Sequence, residues 1–455
     1  MLRLFVFIDK LQEKNMAPIA FIIGTVWPEP RSSAAGQHLL SLLSELKQLG
    51  YIIHFASTAQ RSENSEGLDE LGCVVHEIVL NDSSFDQLIA QLQPEIAVFD
   101  RFMIEEQFSW RIKKVAPNTC LILDTEDFHS LRYLRHQIVK KHPEQAVDIP
   151  SLLEINAGPG PFQGCLNSDF AVREIASMWR CDINLIISQA EVALLHTYYG
   201  LPKNILHYCP FLMANDGAEL GTPRAFDKRK DFVFIGNYRH APNWDAVQIL
   251  AKHLWPLIRK QLPQAKCRIY GAYTPEKAQQ FHNPKQGLLI SGWAKDAQAT
   301  IQEARVHLVP LRFGAGLKGK IFDSLRVGTP CVGSDIAWEG ISTDVTTHSL
   351  LTLNDYENFA EQAVALYADE DKWLTEQVKG QQILENEFVY TTHSATLKNK
   401  IQTVKQELNT HRAPLFMQKM LEQTQYRATR FMSQWIEAKQ TIEQLRDADL
   451  PPETD

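Results

Sequence analysis

The feature that most constrains this chain is an alternation of short apolar runs and longer amphipathic ones that completes once and then starts again. In the first half, runs at residues 19–23, 51–57, 96–99, 120–123 and 185–188 read as buried strands. Between the first two, Leu39, Leu42, Leu43, Leu46 and Leu49 fall at helical spacing, and Gly50 follows as a stop. Alternation of this period produces parallel strands joined by crossover helices. The second half repeats the pattern, with strands at residues 231–236, 267–271, 288–290, 306–309 and 330–332. There Val247, Leu250, Leu254, Leu257 and Ile258 share one face of the first connecting helix. A chain of 455 residues is too long for one ordinary core. The restart therefore predicts two doubly wound α/β domains, meeting where Gly200, Pro202, Pro210, Gly221 and Pro223 cluster.

The division expected from this pattern is an upstream extension at 1–16, a first domain at 17–205, a second at 206–390 and a helical tail at 391–455 that returns toward the first domain. The tail contains helical stretches at 397–408 and 417–445, the second rich in Gln, Lys and Glu. Its aromatic residues Phe416, Tyr426, Phe431 and Trp435 are expected to dock on the protein itself, with a partner helix or a membrane surface as alternatives. Open parallel sheets bind ligands outside the carboxyl ends of their strands. The loops that follow the strands are therefore where chemistry is expected.

Charge and cysteine usage narrow the function classes. A formal net charge of −8 argues against a chain-wide nucleic-acid surface, which needs clustered positive charge. The seven cysteines are scattered without a C-x-x-C pair, which fits a reducing compartment better than a disulfide framework or a zinc site. No run approaches the ~20 apolar residues of a membrane-spanning helix. The apolar opening of the chain stops at Asp9-Lys10 with no small-residue cleavage site after it. A cytoplasmic location is expected, with peripheral contact at the inner membrane face left open.

The most informative loop follows the strand at 306–309. Glycines at 314, 316 and 319 let the backbone approach a ligand closely. A helix then starts with Lys318 and Lys320 in or beside its first turn, although a helix N-terminus already carries partial positive charge. Concentrating Arg312, Lys318, Lys320 and free N–H groups there makes sense if an anion such as a diphosphate sits among them. Asp323, one turn further on, is placed to accept hydrogen bonds from ribose hydroxyls. The competing reading is a glycine-rich connector with solvated lysines. The loop is not a Walker-type phosphate loop, because Ile321 follows Lys320.

The segment from Asp231 to Ile341 resembles the donor-binding domain of retaining family 4 glycosyltransferases of the GT-B fold. The resemblance rests on Phe234-Ile235-Gly236-Asn237-Tyr238-Arg239-His240-Ala241-Pro242-Asn243, on Gly292-Trp293, on the loop from Pro310 to Leu325, on Gly328-Thr329-Pro330-Cys331-Val332 and on Trp338-Glu339-Gly340-Ile341, all in the family's order. In the first half, Asp124-Thr125-Glu126-Asp127-Phe128-His129-Ser130-Leu131-Arg132 is similar to the family's D-x-x-D-x-H-x-x-R segment. Arg173-Glu174 and Ser188-Gln189-Ala190-Glu191 match later landmarks. The family typically has two glutamates in the glycine-rich loop, separated by seven residues. Here Ala315 stands at the first position and Asp323 at the second, with the paired lysines as the substitute.

The resemblance implies two Rossmann-like domains facing across a cleft, and transfer of a sugar from a nucleotide-sugar donor, with retention and without a metal or other cofactor. It implies donor contacts from Gly236, Asn237, Arg239, Arg312, Gly314, Gly316, Lys318, Lys320, Asp323 and Glu339. Asp127, His129 and Lys318 are the expected catalytic groups, and Arg31, Ser32, Gly36, Asp100 and Arg132 the expected acceptor-side contacts. Ser32 and Ser33 are equally explained as caps of the helix that follows. The tripeptides Asp369-Glu370-Asp371 and Asp447-Ala448-Asp449 resemble a metal-binding D-x-D but stand away from strand ends and read as solvated turns. A glycan, a lipid-linked molecule and a protein all remain open as acceptor. The rival functions are a nucleotide-sugar epimerase on the same fold and a non-catalytic binding relative.

Overall fold

The computed structural model describes residues 17–141, 152, 166–212, 224–341 and 355–448, without the side chains of 424–427 and 446–448. The extension expected at 1–16, the boundary residues Gly221 and Pro223, the side chain of Tyr426 and the final Asp449 lie outside the described residues.

The first sheet has seven parallel strands in the order β3-β2-β1-β4-β5-β6-β7. These are β1 (Ile19–Gly24), β2 (Ile52–Ser57), β3 (Val74–Glu77), β4 (Ile96–Asp100), β5 (Cys120–Asp124), β6 (Ile183–Ile186) and β7 (Leu206–Tyr208). The central strands are buried along nearly their whole length, as helices on both faces require. The helices are α1 (Ala34–Gln48), α2 (Ser84–Leu92), α3 (Phe102–Val115), α4 (His129–Lys141), α5 (Asp169–Arg180) and α6 (Gln189–Thr197). Ser33 caps α1 by accepting from the Gly36 N–H at 3.1 Å, and Leu39, Leu42, Leu43 and Leu46 bury its inner stripe.

The second sheet has five parallel strands in the order β10-β9-β8-β11-β12, with β8 (Phe232–Ile235), β9 (Cys267–Tyr270), β10 (Leu288–Gly292), β11 (Val306–Val309) and β12 (Cys331–Gly333). A helix runs from α7 (Ala241–Ile249) through a π-type turn at Leu250–Leu254 into α8 (Trp255–Gln261). Next come α9 (Ala297–Glu303), α10 (Gly319–Arg326), α11 (Asp335–Trp338), α12 (Tyr356–Ala368) and α13 (Glu370–Glu387). Asp369, first of the expected D-x-D turns, caps α13 by accepting from the Lys372 N–H at 3.0 Å.

Two strands escape the sequence pattern. The short β3 is half-exposed at the sheet edge, and β7 lies past residue 205, so the first sheet continues beyond the expected boundary. Both are too short for alternation to register. The tail is α14 (Tyr390–Gln406), α15 (Leu408–Arg412) and α16 (Phe416–Ala448). Leu397, Ile401 and Val404 of α14 enter the first domain's core beside Leu39 and Leu43 of α1. Beneath them the buried Glu45 accepts from Tyr390 Oη at 2.7 Å, Ser394 Oγ at 2.6 Å and Lys398 Nζ at 2.8 Å. Arg412 makes a bidentate pair with the buried Asp182, both contacts at 2.7 Å. The tail therefore belongs physically to the first domain.

Candidate active site

The carboxyl ends of the two sheets face one another across a cleft of about 570 Å3. One wall comes from the first domain, through Arg31, Ser32, Arg101, Glu126, Asp127 and Arg132. The other comes from the second, through Gly236, Asn237, Arg239, His240, Asn243, Gly314, Lys318, Lys320 and Asp323. The expected acceptor-side and donor-side groups are thus largely brought together, with informative exceptions.

On the second-domain wall, the glycine-rich loop leaves β11 and enters α10. The N–H of Gly316 is taken by the buried Glu191 of α6 at 2.6 Å, and the carbonyl of Gly314 accepts from Arg135 of α4 at 2.8 Å. Gly316 has φ +62°, and a Cβ there would lie 2.8 Å from Cβ of Asp127. A Cβ on Gly319 would lie 2.4 Å from Cβ of Ala34. These glycines let the second domain's loop press against the first domain's wall. The loop's N–H groups are therefore not all free for an anion: in the first turn of α10 that of Ile321 donates to the Lys318 carbonyl at 2.8 Å, which leaves Gly319 and Lys320 as the helix-start donors beside the cleft.

Lys318 is buried and its Nζ donates to the carbonyl of Gly316 at 2.7 Å. Burial lowers its pKa, against the pull of Glu339 and other carboxylates nearby. Lys320 donates to Oδ1 of Asn243 and lies 5.0 Å from the centre of the Phe234 ring. Burial pulls its pKa down to about 7. Arg239 stacks on Tyr273 at 3.6 Å. Asp323 is raised to about 6, mainly by burial. Asn237 lines the cleft and its Oδ1 accepts from the N–H of Arg239 at 2.9 Å. Gly236 is kept free of a side chain by Asn243, whose Cγ would lie 2.6 Å from an added Cβ.

Two expected donor-side groups face elsewhere. Arg312 is held by Asp245 of α7 in a bidentate pair, at 2.9 Å through Nε and 2.5 Å through Nη2, and does not line the cleft. Glu339 also lies off the cleft, gripped by the fully buried Arg135 at 2.7 and 2.8 Å and accepting from the N–H of Leu152 at 2.8 Å. It is half of an ion pair that joins the two domains. Ala315 is buried and packs into the first domain's core cluster.

On the first-domain wall, Asp127 is placed by the turn between β5 and α4. Its Oδ1 lies 3.1 Å from Nδ1 of His129 and its Oδ2 3.2 Å from Arg132. Burial alone would raise the Asp127 pKa, but Arg132 and His129 bring it down to about 2. Arg132 reaches on to Nε2 of His240 in the second domain at 3.0 Å. His129 does not line the cleft. It sits behind Asp127, its Nδ1 2.8 Å from the Asp127 carbonyl, and its backbone N–H donates to the buried Glu174 at 2.9 Å. Burial takes its pKa down to about 4, so the ring is neutral at pH 7 and orients Asp127.

Asp100 and Gly36 are likewise behind the wall. Asp100 is buried and accepts from the Thr25 N–H at 2.9 Å, while a Cβ on Gly36 would collide with the backbone of Glu29. Arg31 is at the rim, paired with Glu66 at 2.7 Å, and Ser32 donates to Glu29 at 2.5 Å.

Several cleft groups had no part in the expectation. Arg101 and Glu126, at the ends of β4 and β5, adopt φ +73° and +61°, which ordinary side chains avoid. Burial, then the neighbouring Asp124, raises Glu126 above the carboxylate range. His240 and Asn243 stood inside the matched β8 segment without an assigned role. Arg135 carried no signal, because its meaning depends on Glu339 in the other domain.

Comparison with known proteins follows the same division. No curated protein matches the chain at the sequence level. Residues 229–369 match the model of the glycosyl transferases group 1 family. Among solved structures, the chain is similar to sucrose-phosphate synthase from Thermosynechococcus elongatus, at 14% identity and a TM-score of 0.60 over 85% of this chain and 99% of that one. It is similar to Anabaena HepE in complex with UDP and glucose, at 12% identity and a TM-score of 0.58 over 85% and 100%. With Staphylococcus aureus TarM the identity is 11% and the TM-score 0.51; 70% of this chain is covered, and it spans 58% of TarM's length. Residues 229–369 are thus similar to the glycosyl transferases group 1 family, and the chain has the two-domain fold of solved glycosyltransferases.

Proposed function

We propose that this chain is a metal-independent, retaining glycosyltransferase that moves a hexosyl group from a nucleoside-diphosphate sugar to an acceptor hydroxyl. One observation carries the reading. The three cations on the second-domain wall, Lys318, Lys320 and Arg239, have neutral direct partners: a backbone carbonyl, an amide oxygen and an aromatic ring. Beside them the first turn of α10 opens on the same space. Cations whose direct contacts are neutral, gathered at a helix N-terminus, favour an anion there, even with Glu339, Glu191 and Asp127 acting on Lys318 through space.

A diphosphate held there places its scissile bond between the two walls. As the bond from the anomeric carbon to the phosphate oxygen breaks, negative charge grows on the departing diphosphate. Fixed ammonium groups and N–H dipoles stabilise that charge. Asp323 faces the nucleotide ribose, and Asp127 with Arg132 faces the sugar and the incoming hydroxyl, whose proton leaves on the diphosphate. Neutral His129 orients Asp127 from behind.

The test is thermal unfolding of the full chain against nucleoside diphosphates and their sugars, with UDP and UDP-glucose first because the similar HepE was solved with them. A ligand at 100 times its Kd stabilises by about 2.7 kcal/mol. The expected result is a raised midpoint with one nucleotide and a clearly smaller rise in Lys320→Met. Binding that ignores both Lys318 and Lys320, or no binding at all, overturns the assignment. Proton NMR of the product formed with an accepted hydroxyl compound then reads retention directly.

A further inference from the structure

The long terminal helix α16 has two unlike faces. Its inner face packs on α3 and α5 of the first domain. There Gln418 donates to the Arg180 carbonyl at 3.1 Å, Ser433 to Asn81 at 2.5 Å, and Arg111 to Glu437 at 2.6 Å. Its outer face carries Ala428, Phe431, Trp435, Ala438, Ile442 and Leu445, all exposed. The steps between them are 3, 4, 3, 4 and 3 residues. That is the 3.5-residue repeat of a helix-pairing seam rather than the 3.6-residue stripe of a helix lying on a core.

Phe431, Trp435, Ile442 and Leu445 are 60%, 62%, 51% and 61% exposed, and Met432 beside them 59%. These five side chains present on the order of 500 Å2 of largely apolar surface, so two such faces together reach about 1,000 Å2, the lower bound of a specific interface. An anionic lipid surface is a poor match. Lipid-bound helices carry an excess of Lys and Arg. Between 428 and 445 the charges are Arg430 and Lys439 against Glu437 and Glu443, which cancel.

The seam is, however, complementary to itself. In an antiparallel pair each a position faces a d position of the other helix, and the register centred between Trp435 and Ala438 pairs large with small in two of its three layers. Trp435 then meets Ala438 of the second copy, Leu445 meets Ala428, and Phe431 meets Ile442. The same register sets Arg430 opposite Glu443. Each contact occurs twice about the two-fold axis, and alternating large and small residues is what lets such layers interdigitate.

We propose that the outer seam of α16, residues 428–445, pairs antiparallel with the same seam of a second copy and makes the chain a two-fold dimer. Sedimentation velocity of the full chain across a concentration series tests this. The wild type is expected to dimerise in the micromolar range, and Trp435→Glu to weaken the dimer by at least ~30-fold. Trp435→Ala and Ala438→Trp each weaken it as well, whereas the double exchange restores it because large again faces small. Unchanged far-ultraviolet circular dichroism shows that these exposed substitutions leave the fold intact.

A wild type that stays monomeric at every concentration overturns the proposal, as does a dimer indifferent to Trp435→Glu. A double exchange no better than the single ones overturns the antiparallel register. A monomer that sediments with phosphatidylglycerol vesicles, and loses this with Trp435→Glu, assigns the seam to lipid instead.

Discussion

The two walls of the cleft hold similar numbers of cations and treat them in opposite ways. On the first-domain wall every arginine has an acidic partner: Arg31 with Glu66, Arg101 with Asp100, and Arg132 with Asp127. On the second-domain wall the direct partners of Lys318, Lys320 and Arg239 are neutral. Burying a cation without a carboxylate in direct contact is costly, and the cost shows in Lys320, whose pKa burial has pulled down to about 7 although Asp323 pulls the other way. A ligand anion relieves it. The first wall is electrostatically finished without a ligand and can select by shape and hydrogen bonding. On the second, carboxylates act on Lys318 and Lys320 only through space.

The largest expected effect comes from the pair that locks the walls together. Arg135→Ala takes from the buried Glu339 its bidentate partner, leaving the Leu152 N–H and the more distant charge of Lys318, and removes the donor to Gly314. Breaking a buried pair in this way costs ~3–5 kcal/mol. Arg135→Lys recovers only part, because an ammonium cannot reproduce the bidentate contact. Urea unfolding of both variants measures it, and a loss under ~1 kcal/mol for Arg135→Ala would show that the walls do not depend on this clamp.

Next in size is the contrast between the walls themselves. Lys320→Met removes a charge-assisted contact to the diphosphate, worth ~1.5–3 kcal/mol, so UDP affinity should fall by roughly 10- to 100-fold. Asp127→Asn changes the other wall and should leave UDP affinity near wild type while depressing sugar transfer. Calorimetric titration of both variants separates the cases. Equal losses of UDP affinity would mean that the division of labour is wrong.

A smaller effect probes the contact between the walls. Gly316→Ala must adopt φ +62° and put a Cβ 2.8 Å from that of Asp127 and 3.1 Å from Cγ2 of Ile187. The left-handed backbone alone costs ~1–2 kcal/mol. Gly314→Ala is the control, because its nearest neighbour would be a lysine methylene at 3.4 Å. Thermal midpoints should order as wild type and Gly314→Ala above Gly316→Ala, and the reverse order would contradict the close approach.

How much of this could be read from sequence follows the same line. The second domain's five strands, its glycine-rich loop and its two lysines were legible because they are local: a strand, a turn and a helix start lie within twenty residues of chain. The cleft that gathers Asp127, Arg132 and the lysines follows from facing strand ends. What escaped is whatever depends on a partner far along the chain or in the other domain. Arg312 looked like a phosphate ligand until Asp245, 67 residues earlier, was seen to hold it. Glu339 looked like a donor contact until Arg135 appeared beneath it. His129 was placed on the wall, whereas it stands behind Asp127, because its turn directs the ring inward onto Phe102 at 5.9 Å. On α16 the aromatic residues Phe431 and Trp435 are on the outer face, since docking uses Gln418, Ser433 and Glu437 instead.

The last expectation concerns pH and turns on Lys320. With its pKa near 7 in the free protein, its ammonium is largely deprotonated at pH 8. A diphosphate favours the charged form, so the pKa in the complex is higher. Between the two values the complex holds more protons than the free protein. Binding then takes up a proton, and affinity falls as pH rises through 7, by at most about tenfold per unit. The nucleotide does not mask this, because a terminal phosphate with a pKa near ~6 is already ionised at pH 8. Asp323, raised to about 6, is ionised there too. Calorimetry of UDP binding at pH 8, in two buffers of different ionisation enthalpy, should therefore show net proton uptake in the wild type and markedly less in Lys320→Met, the remainder coming from Glu126, which burial raises to about 8 on the same cleft. Uptake that survives the substitution undiminished would move the titrating group elsewhere in the cleft. No uptake in the wild type would mean that Lys320 already finds its counter-charge in Asp323, and the contrast between the walls would shrink to Lys318 and Arg239.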